Sequence, residues 1–204
     1  MSAPGKFISL EGVDGAGKSS HIQLVADTAG AGGRHVVVTR EPGGTEFGEQ
    51  LRKLVLGTDM LPLTETLLLV AARAEHVHRV IRPALAAGTW IVCDRFADAT
   101  AAYQGAGKGV DGSLIDVLAR AAHEGCRPDR TLLFDCSYDV AAQRLSASGR
   151  AADRFEREDR AFFERVRASY LAAARAEPER FRVIDASRDH AGVRAQVGDA
   201  LKGL

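Results

Sequence analysis

The eight residues Gly12-Val13-Asp14-Gly15-Ala16-Gly17-Lys18-Ser19 restrict the fold of this chain more than any other segment. They follow the spacing G-x-x-x-x-G-K-[ST] and stand between an apolar run, Phe7–Leu10, and a helical pattern, Ser19–Ala29. Glycines in such a loop let the backbone turn so that successive N–H groups point at phosphate oxygens. The positive end of the following helix adds about half a unit charge at the same place. Lys18 then reaches the β- and γ-phosphates, and the Ser19 hydroxyl is a suitable magnesium ligand. The motif in this context predicts a strand, a phosphate-binding loop and a helix, with Gly12 through Ser19 at a nucleotide.

The rest of the chain repeats the alternation that this start implies. Short apolar runs at Phe7–Leu10, Val36–Thr39, Trp90–Cys93, Thr131–Asp135 and Arg182–Ile184 read as strands. Helical patterns fall at Ser19–Ala29, Phe47–Leu56, Thr64–Ala87, Gly112–His123, Tyr138–Ala147 and Asp159–Glu177, with a last one from about His190. That order predicts an α/β fold with a central parallel five-stranded sheet and helices on both faces. Gly43–Gly44, Gly105–Gly112 and Ser146–Asp153 are rich in Gly or small residues and read as loops. Ligands of such sheets bind beyond the carboxyl ends of the strands. Glu11, Arg40, Glu41, Asp94, Arg95, Asp135 and Asp185 all fall there, so that edge is the place to look for chemistry.

Composition narrows the classes. A chain of 204 residues is expected to form a single domain, residues 1–204. With 27 basic against 27 acidic residues, it offers no general attraction for nucleic acid or anionic lipid. Its apolar runs are too short for a membrane span, and neither partner is expected. Three cysteines without CxxC spacing argue against a disulfide scaffold or a thiolate zinc site, and point to a cytoplasmic setting. The chain has no asparagine, so it cannot carry the Asn-Lys-x-Asp loop with which GTPases read guanine. Asp94-Arg95, an acid followed by a base after an apolar strand, suits a magnesium-side carboxylate beside a phosphate-side cation. Together these point to a small phosphotransferase with two nucleotide sites.

Four blocks then carry a specific resemblance: Glu11–Ser19, Thr39-Arg40-Glu41-Pro42-Gly43-Gly44-Thr45, Asp94-Arg95-Phe96 with Ala102-Tyr103-Gln104-Gly105, and Asp153-Arg154-x-Glu156. In this order they resemble the bacterial thymidylate kinases, P-loop kinases with a mobile lid, over essentially the whole chain. The resemblance implies transfer of the γ-phosphoryl group of ATP to dTMP, with Mg²⁺, by a homodimer packed through helices near Leu51–Leu56 and Thr64–Leu85. Asp14 would accept from the 3′-hydroxyl of the acceptor sugar. Arg95 would contact the acceptor phosphate, with Arg52 assisting, and Asp94 would organise magnesium through its waters. Arg73 would approach the thymine edge, with Thr100 and Gln104 nearby on the base, and Tyr103 would stack under the deoxyribose. Adenine would lie between Arg144 and the loop after Asp185.

Two departures from the family pattern matter. Relatives supply a catalytic cation from the phosphate loop or from the lid. The loop position here is Gly15, so the lid at about 146–156 would supply it, with Arg150 the leading candidate and Arg154 the alternative. Relatives also carry a phenylalanine one helical turn before the base-reading arginine, stacked on thymine; this chain has Leu69, unless Phe96 or Phe47 covers the base instead. Two competing readings stay open at this level: a kinase for another nucleoside or deoxynucleoside monophosphate, and a non-catalytic P-loop nucleotide-binding module.

Overall fold

A computed structural model describes residues 4–149 and 154–204. Five strands, β1 (Phe7–Glu11), β2 (Val36–Arg40), β3 (Trp90–Asp94), β4 (Arg130–Asp135) and β5 (Phe181–Asp185), form one parallel sheet in the order β2-β3-β1-β4-β5. Each expected strand is present, within a residue or so of its expected ends.

The sheet is covered on both faces, and the pleat divides its side chains between two cores. Ile8 and Leu10 of β1 and Val92 of β3 join Val25, Ala26 and Ala29 of α1 (Lys18–Ala29) and Val193 and Val197 of α9 (His190–Ala200). Their neighbours Phe7, Ile91 and Cys93 pack instead with Val77, Ile81 and Phe96. Every residue of β1 is buried, which is why its sequence runs apolar rather than alternating. The polar Ser9 is accommodated by sharing a 2.8 Å hydrogen bond with Thr131 of β4.

Side-chain caps mark most of the helix starts. Thr45 begins α2 (Glu46–Gly57), Asp111 begins α6 (Gly112–His123), Ser137 begins α7 (Tyr138–Ala147), Asp159 begins α8 (Arg160–Ala176) and Asp189 begins α9. Each side-chain oxygen accepts an N–H two or three residues into its helix, satisfying a donor that the helix cannot pair itself. The start of α1 differs: its N-cap is Gly17, at φ 90°, with no side chain to compete for those donors.

Two expectations are corrected. The long pattern Thr64–Ala87 is α3 (Pro62–His76), a π-helical segment at Val77–Ile81 and a short α4 (Arg82–Ala86). Pro83 lacks an N–H and crowds the carbonyl four residues back, and the wider turn just before it relieves that conflict. The start of the expected loop Gly105–Gly112 is also helical: α5 (Ala97–Thr100) continues into a π-helical segment, Ala101–Gly107. Glycine serves close approach there rather than flexibility. A Cβ on Gly107 would lie 2.5 Å from the Phe162 ring of α8. The segment is held by burial of Ala102, Tyr103, Gln104 and Gly107. Among the described residues no helix is long and apolar enough to cross a membrane.

Candidate active site

The phosphate loop leaves β1 at Glu11 and enters α1 at Lys18. Gly12, Gly15 and Gly17 all have positive φ. At Gly12 a Cβ would stand 2.3 Å from the Phe134 carbonyl oxygen, so neighbouring backbone, as well as torsion, demands glycine there. The Lys18 ammonium donates to the carbonyls of Gly12 (2.9 Å) and Val13 (3.0 Å). Burial, with the Arg95 charge adding to it, lowers Lys18 to about 8. Ser19 stands exposed in the first turn of α1. On the far side of the loop Arg144 spans two carbonyls, donating to Ala16 (3.4 Å) and to Ala186 after β5 (2.7 Å).

Arg95 adopts φ 69°, a left-handed conformation that a non-glycine residue takes at a cost. The twist turns its guanidinium back over the phosphate loop. Nη1 donates to Gly12 O (2.9 Å), and Nη2 to Asp14 Oδ1 (2.5 Å) and the Tyr103 hydroxyl (3.1 Å). Tyr103 in turn donates to Asp14 Oδ2 at 2.9 Å. Burial by itself pushes the Asp14 carboxyl up, but Arg95 and Lys18 outweigh it and hold the group below its usual range. Tyr103 is thus both a core residue and a site residue: its ring packs beside Phe155, Phe162 and Tyr170 while its hydroxyl joins Asp14 to Arg95.

Beside this junction lies a cavity open to the surface on one side. Its walls include Asp14, Arg52, Leu69, Arg73, Arg95, Thr100, Tyr103 and Gln104, which brings every residue assigned to the acceptor nucleotide to one place. Arg52 donates to the Pro42 carbonyl at 3.1 Å. Arg73 donates through Nε to Glu41 Oε2 (2.7 Å) and through Nη2 to Phe96 O and Thr100 Oγ1 (3.0 Å each). The remaining Nη1 of Arg73, Oε1 of Gln104 and Oδ1 of Asp94 are buried without a partner among the described residues. Phe96 lines the cavity and stacks under the Arg73 guanidinium at 5.2 Å, whereas Phe47 lies on the exposed surface. Of the two rings that could replace the family phenylalanine, Phe96 is the one at the cavity.

Sequence reasoning placed Glu11 and Glu41 at the strand ends without a role, and missed the other residues that hold these groups from behind. Glu41, 4% exposed, accepts from Arg73 and shares a 3.0 Å hydrogen bond with His76 Nδ1; the other ring nitrogen of His76 meets Thr39 Oγ1 at 2.7 Å. Glu11 accepts from the Phe96 N–H (2.7 Å) and from the Tyr170 hydroxyl (2.8 Å). Glu65 accepts from Gln104, Lys108 and Arg154. A usable signal existed for Glu65, which precedes Leu69 by four residues and Arg73 by eight and so shares their face of α3. Nothing in the sequence marked Tyr170, one aromatic among the apolar positions of α8. Arg150 and Asp153 lie outside the described residues. Arg154 is committed to the acceptor side, donating to Val55 O (2.9 Å) as well as to Glu65.

A parallel sheet with a phosphate loop at one strand end, a cation from the next strand over that loop and a cavity lined by charged and polar side chains beside it defines a P-loop phosphotransferase of the nucleotide-kinase class. The comparisons narrow the class. The thymidylate kinase family matches residues 10–197. A thymidylate kinase of Bordetella petrii is 55% identical over 204 residues, covering 100% of this chain and 98% of its own length. One from Thiobacillus denitrificans is 52% identical over 204 residues, with 100% of both chains covered. The crystal structure of thymidylate kinase from Ehrlichia chaffeensis superposes with a TM-score of 0.77 at 35% identity, covering 98% of this chain and 100% of that one. The chain belongs to the thymidylate kinase family.

Two predictions follow from this geometry. Burial, and then the nearby Asp98 charge, raise the Glu11 carboxyl to about 8 from the ordinary 4.5. The native state therefore binds more protons than the unfolded chain between those values, and stability falls as pH rises through that window. Glu11→Gln removes the titration. Its denaturation midpoint should gain on the wild type between pH 5 and pH 8, and a wild-type advantage that grows with pH would refute the assignment. At Leu69, a phenylalanine ring would add aromatic stacking on a planar base, worth about 0.5–1.5 kcal/mol beyond area burial. Leu69→Phe should lower the KM for dTMP by roughly two- to tenfold and leave that for ATP unchanged. An unchanged or raised KM for dTMP in steady-state kinetics would mean that the pocket is shaped around leucine.

Proposed function

We propose that this chain, a single domain of residues 1–204, divides dTMP phosphorylation between the phosphate loop and the cavity beside it. The carrying observation is that Asp14 and Arg95 belong to both: they close the loop and line the cavity. An acceptor in the cavity would thus place its phosphate next to the phosphates of ATP. The overall reaction is the family's, ATP and dTMP giving ADP and dTDP.

In this reading, the backbone N–H groups of Gly12–Ser19 and the Lys18 ammonium hold the β- and γ-phosphates of ATP, while Arg144 flanks the donor nucleotide. Arg95, with Arg52, takes the acceptor phosphate, and Asp14 takes the 3′-hydroxyl. Tyr103 lies under the deoxyribose; Leu69, Thr100, Arg73 and Gln104 meet the base. Phosphoryl transfer asks for alignment, exclusion of water and cations at the transferring oxygens, which are the properties that these side chains supply. The residues fit a magnesium ion: the partnerless Asp94 Oδ1 and the Ser19 hydroxyl are hard oxygen donors beside the loop. When bound there, Mg²⁺ would neutralise charge on the β- and γ-oxygens.

The lid reading is supported at Gly15. With φ 80°, and with a Cβ there 2.6 Å from the Ala141 carbonyl oxygen, the loop resists a side chain at that position. Arg154 is drawn to the acceptor side, which leaves Arg150 as our choice for the lid cation. A coupled ADP-release assay with dTMP, dUMP, UMP, CMP and AMP tests the whole reading. dTMP should be the preferred acceptor. Lys18→Ala and Arg95→Ala should each lower turnover about 10²-fold or more, and Arg150→Ala should lower kcat while nearly sparing the KM for dTMP. Preference for another monophosphate, or nucleotide binding without turnover, would sink it.

For quaternary state and setting, we propose a homodimer in the cytosol. Leu54 of α2, Leu61 just before α3, Leu63 and Leu67 of α3, and Leu114 and Val117 of α6 are exposed on a cluster of helices that pack together. An exposed apolar set of this kind is typical of an interaction surface. All three cysteines are unpaired, in keeping with a reducing compartment. Sedimentation equilibrium should give twice the 21.8 kDa chain mass, and a monomer at micromolar concentration would refute the dimer.

A further inference from the structure

Glu65 has no solvent exposure, does not line the acceptor cavity, and yet gathers three donors from two other parts of the chain. Gln104 Nε2 reaches Oε1 at 2.7 Å. Lys108 Nζ lies 3.0 Å from Oε1 and 2.9 Å from Oε2, and Arg154 donates to Oε2. A carboxylate flanked by two cations accepts hydrogen bonds and donates none. The Gln104 amide can therefore present only its nitrogen to Glu65, and its oxygen must point the other way. That oxygen is the buried, partnerless Oε1 of a residue that lines the cavity. Arg73, which lines the same cavity, likewise has a buried N–H, Nη1, without a partner among the described residues.

We infer that Glu65 is a positioning residue that decides which pyrimidine the site accepts, by fixing the sense of the Gln104 amide. The inference rests on the dTMP reading above and extends it. An acceptor from Gln104 and a donor from Arg73 match the N3–H and O4 of thymine. Cytosine reverses both groups, with a lone pair at N3 and an amino group at C4, and would leave two buried polar groups opposed to their like. Gln104 can make this choice only while something prevents its amide from turning over, and the carboxylate does so. In Glu65→Gln, Lys108 and Arg154 would claim the new amide oxygen, since they can only donate. The new NH₂ would then face Gln104, turn the Gln104 oxygen toward itself and leave Nε2 directed at the base.

The test is kcat/KM for dTMP and dCMP with wild type and Glu65→Gln. The ratio of the two should fall tenfold or more in the variant, with KM for dTMP rising and dCMP turnover gained. Glu65→Asp keeps the charge for Lys108 and Arg154 but withdraws the carboxylate from the amide by one methylene; it should shift the ratio in the same direction by less. An unchanged ratio, or equal losses on both substrates, would show that Glu65 only stabilises the fold, and failure of both variants to fold would overturn the inference as well. A wild type that does not prefer dTMP over dCMP would overturn the acceptor reading instead.

Discussion

The closure of Arg95 onto the phosphate loop is the interaction on which the site depends. The loop is irregular backbone that cannot hold its shape through a hydrogen-bond ladder, and its carbonyls need donors. Arg95 supplies one to Gly12 and also holds the Asp14 side chain. The same guanidinium touches the hydroxyls of Tyr103 and Tyr170, which come from the segment after β3 and from α8. One largely enclosed cation therefore sets the loop against two other parts of the fold. Its left-handed backbone costs energy of order 1–3 kcal/mol, which the surrounding contacts offset. An extended residue at this position would carry the side chain away from Gly12.

A second constraint comes from setting buried polar side chains in the wall of the cavity. Buried donors and acceptors need partners, and the direction of each is fixed by the group that backs it. The chain meets this with three glutamates: Glu11 behind Phe96 and Tyr170, Glu41 behind Arg73 and His76, and Glu65 behind Gln104, Lys108 and Arg154. Isolated burial of a carboxylate is prohibitive, and removing one partner of a buried pair costs about 3–5 kcal/mol. These networks consequently hold the site in one arrangement rather than adding much net stability. Among the described residues these networks leave Arg73 Nη1, Gln104 Oε1 and Arg154 Nε without partners, and the first two belong to residues that line the cavity.

Much of this was legible in the sequence because it is written locally. The five strands are short runs rich in apolar residues, fully buried in β1 and nearly so in β4, and most of the helix starts carry their own caps. Asp14, Arg95, Tyr103 and Gln104 stand in the motif blocks, whereas Arg52, Leu69, Arg73 and Thr100 were assigned only through the family resemblance; the structure gathers all eight around one cavity. The π-helical turns were not legible: one answers a proline three-dimensionally, and the other follows from Gly107 meeting Phe162, residues 55 positions apart. The loss of a usable position at Gly15 was likewise invisible, since the obstruction is the backbone of Ala141 on a different helix.

What the sequence determined by itself is therefore the glycine-rich loop, the parallel sheet behind it and the charged residues at the strand ends. Those features depend on backbone torsions, periodicity and charge within a few adjacent residues. Only the tertiary structure decided the sense in which each polar group points. A glutamate in a helical pattern reads as an ordinary solvated charge until the fold buries it against Gln104, Lys108 and Arg154. Direction is a property of the partner behind a side chain, and partners 39 to 89 residues away in the chain are brought together only when the core closes.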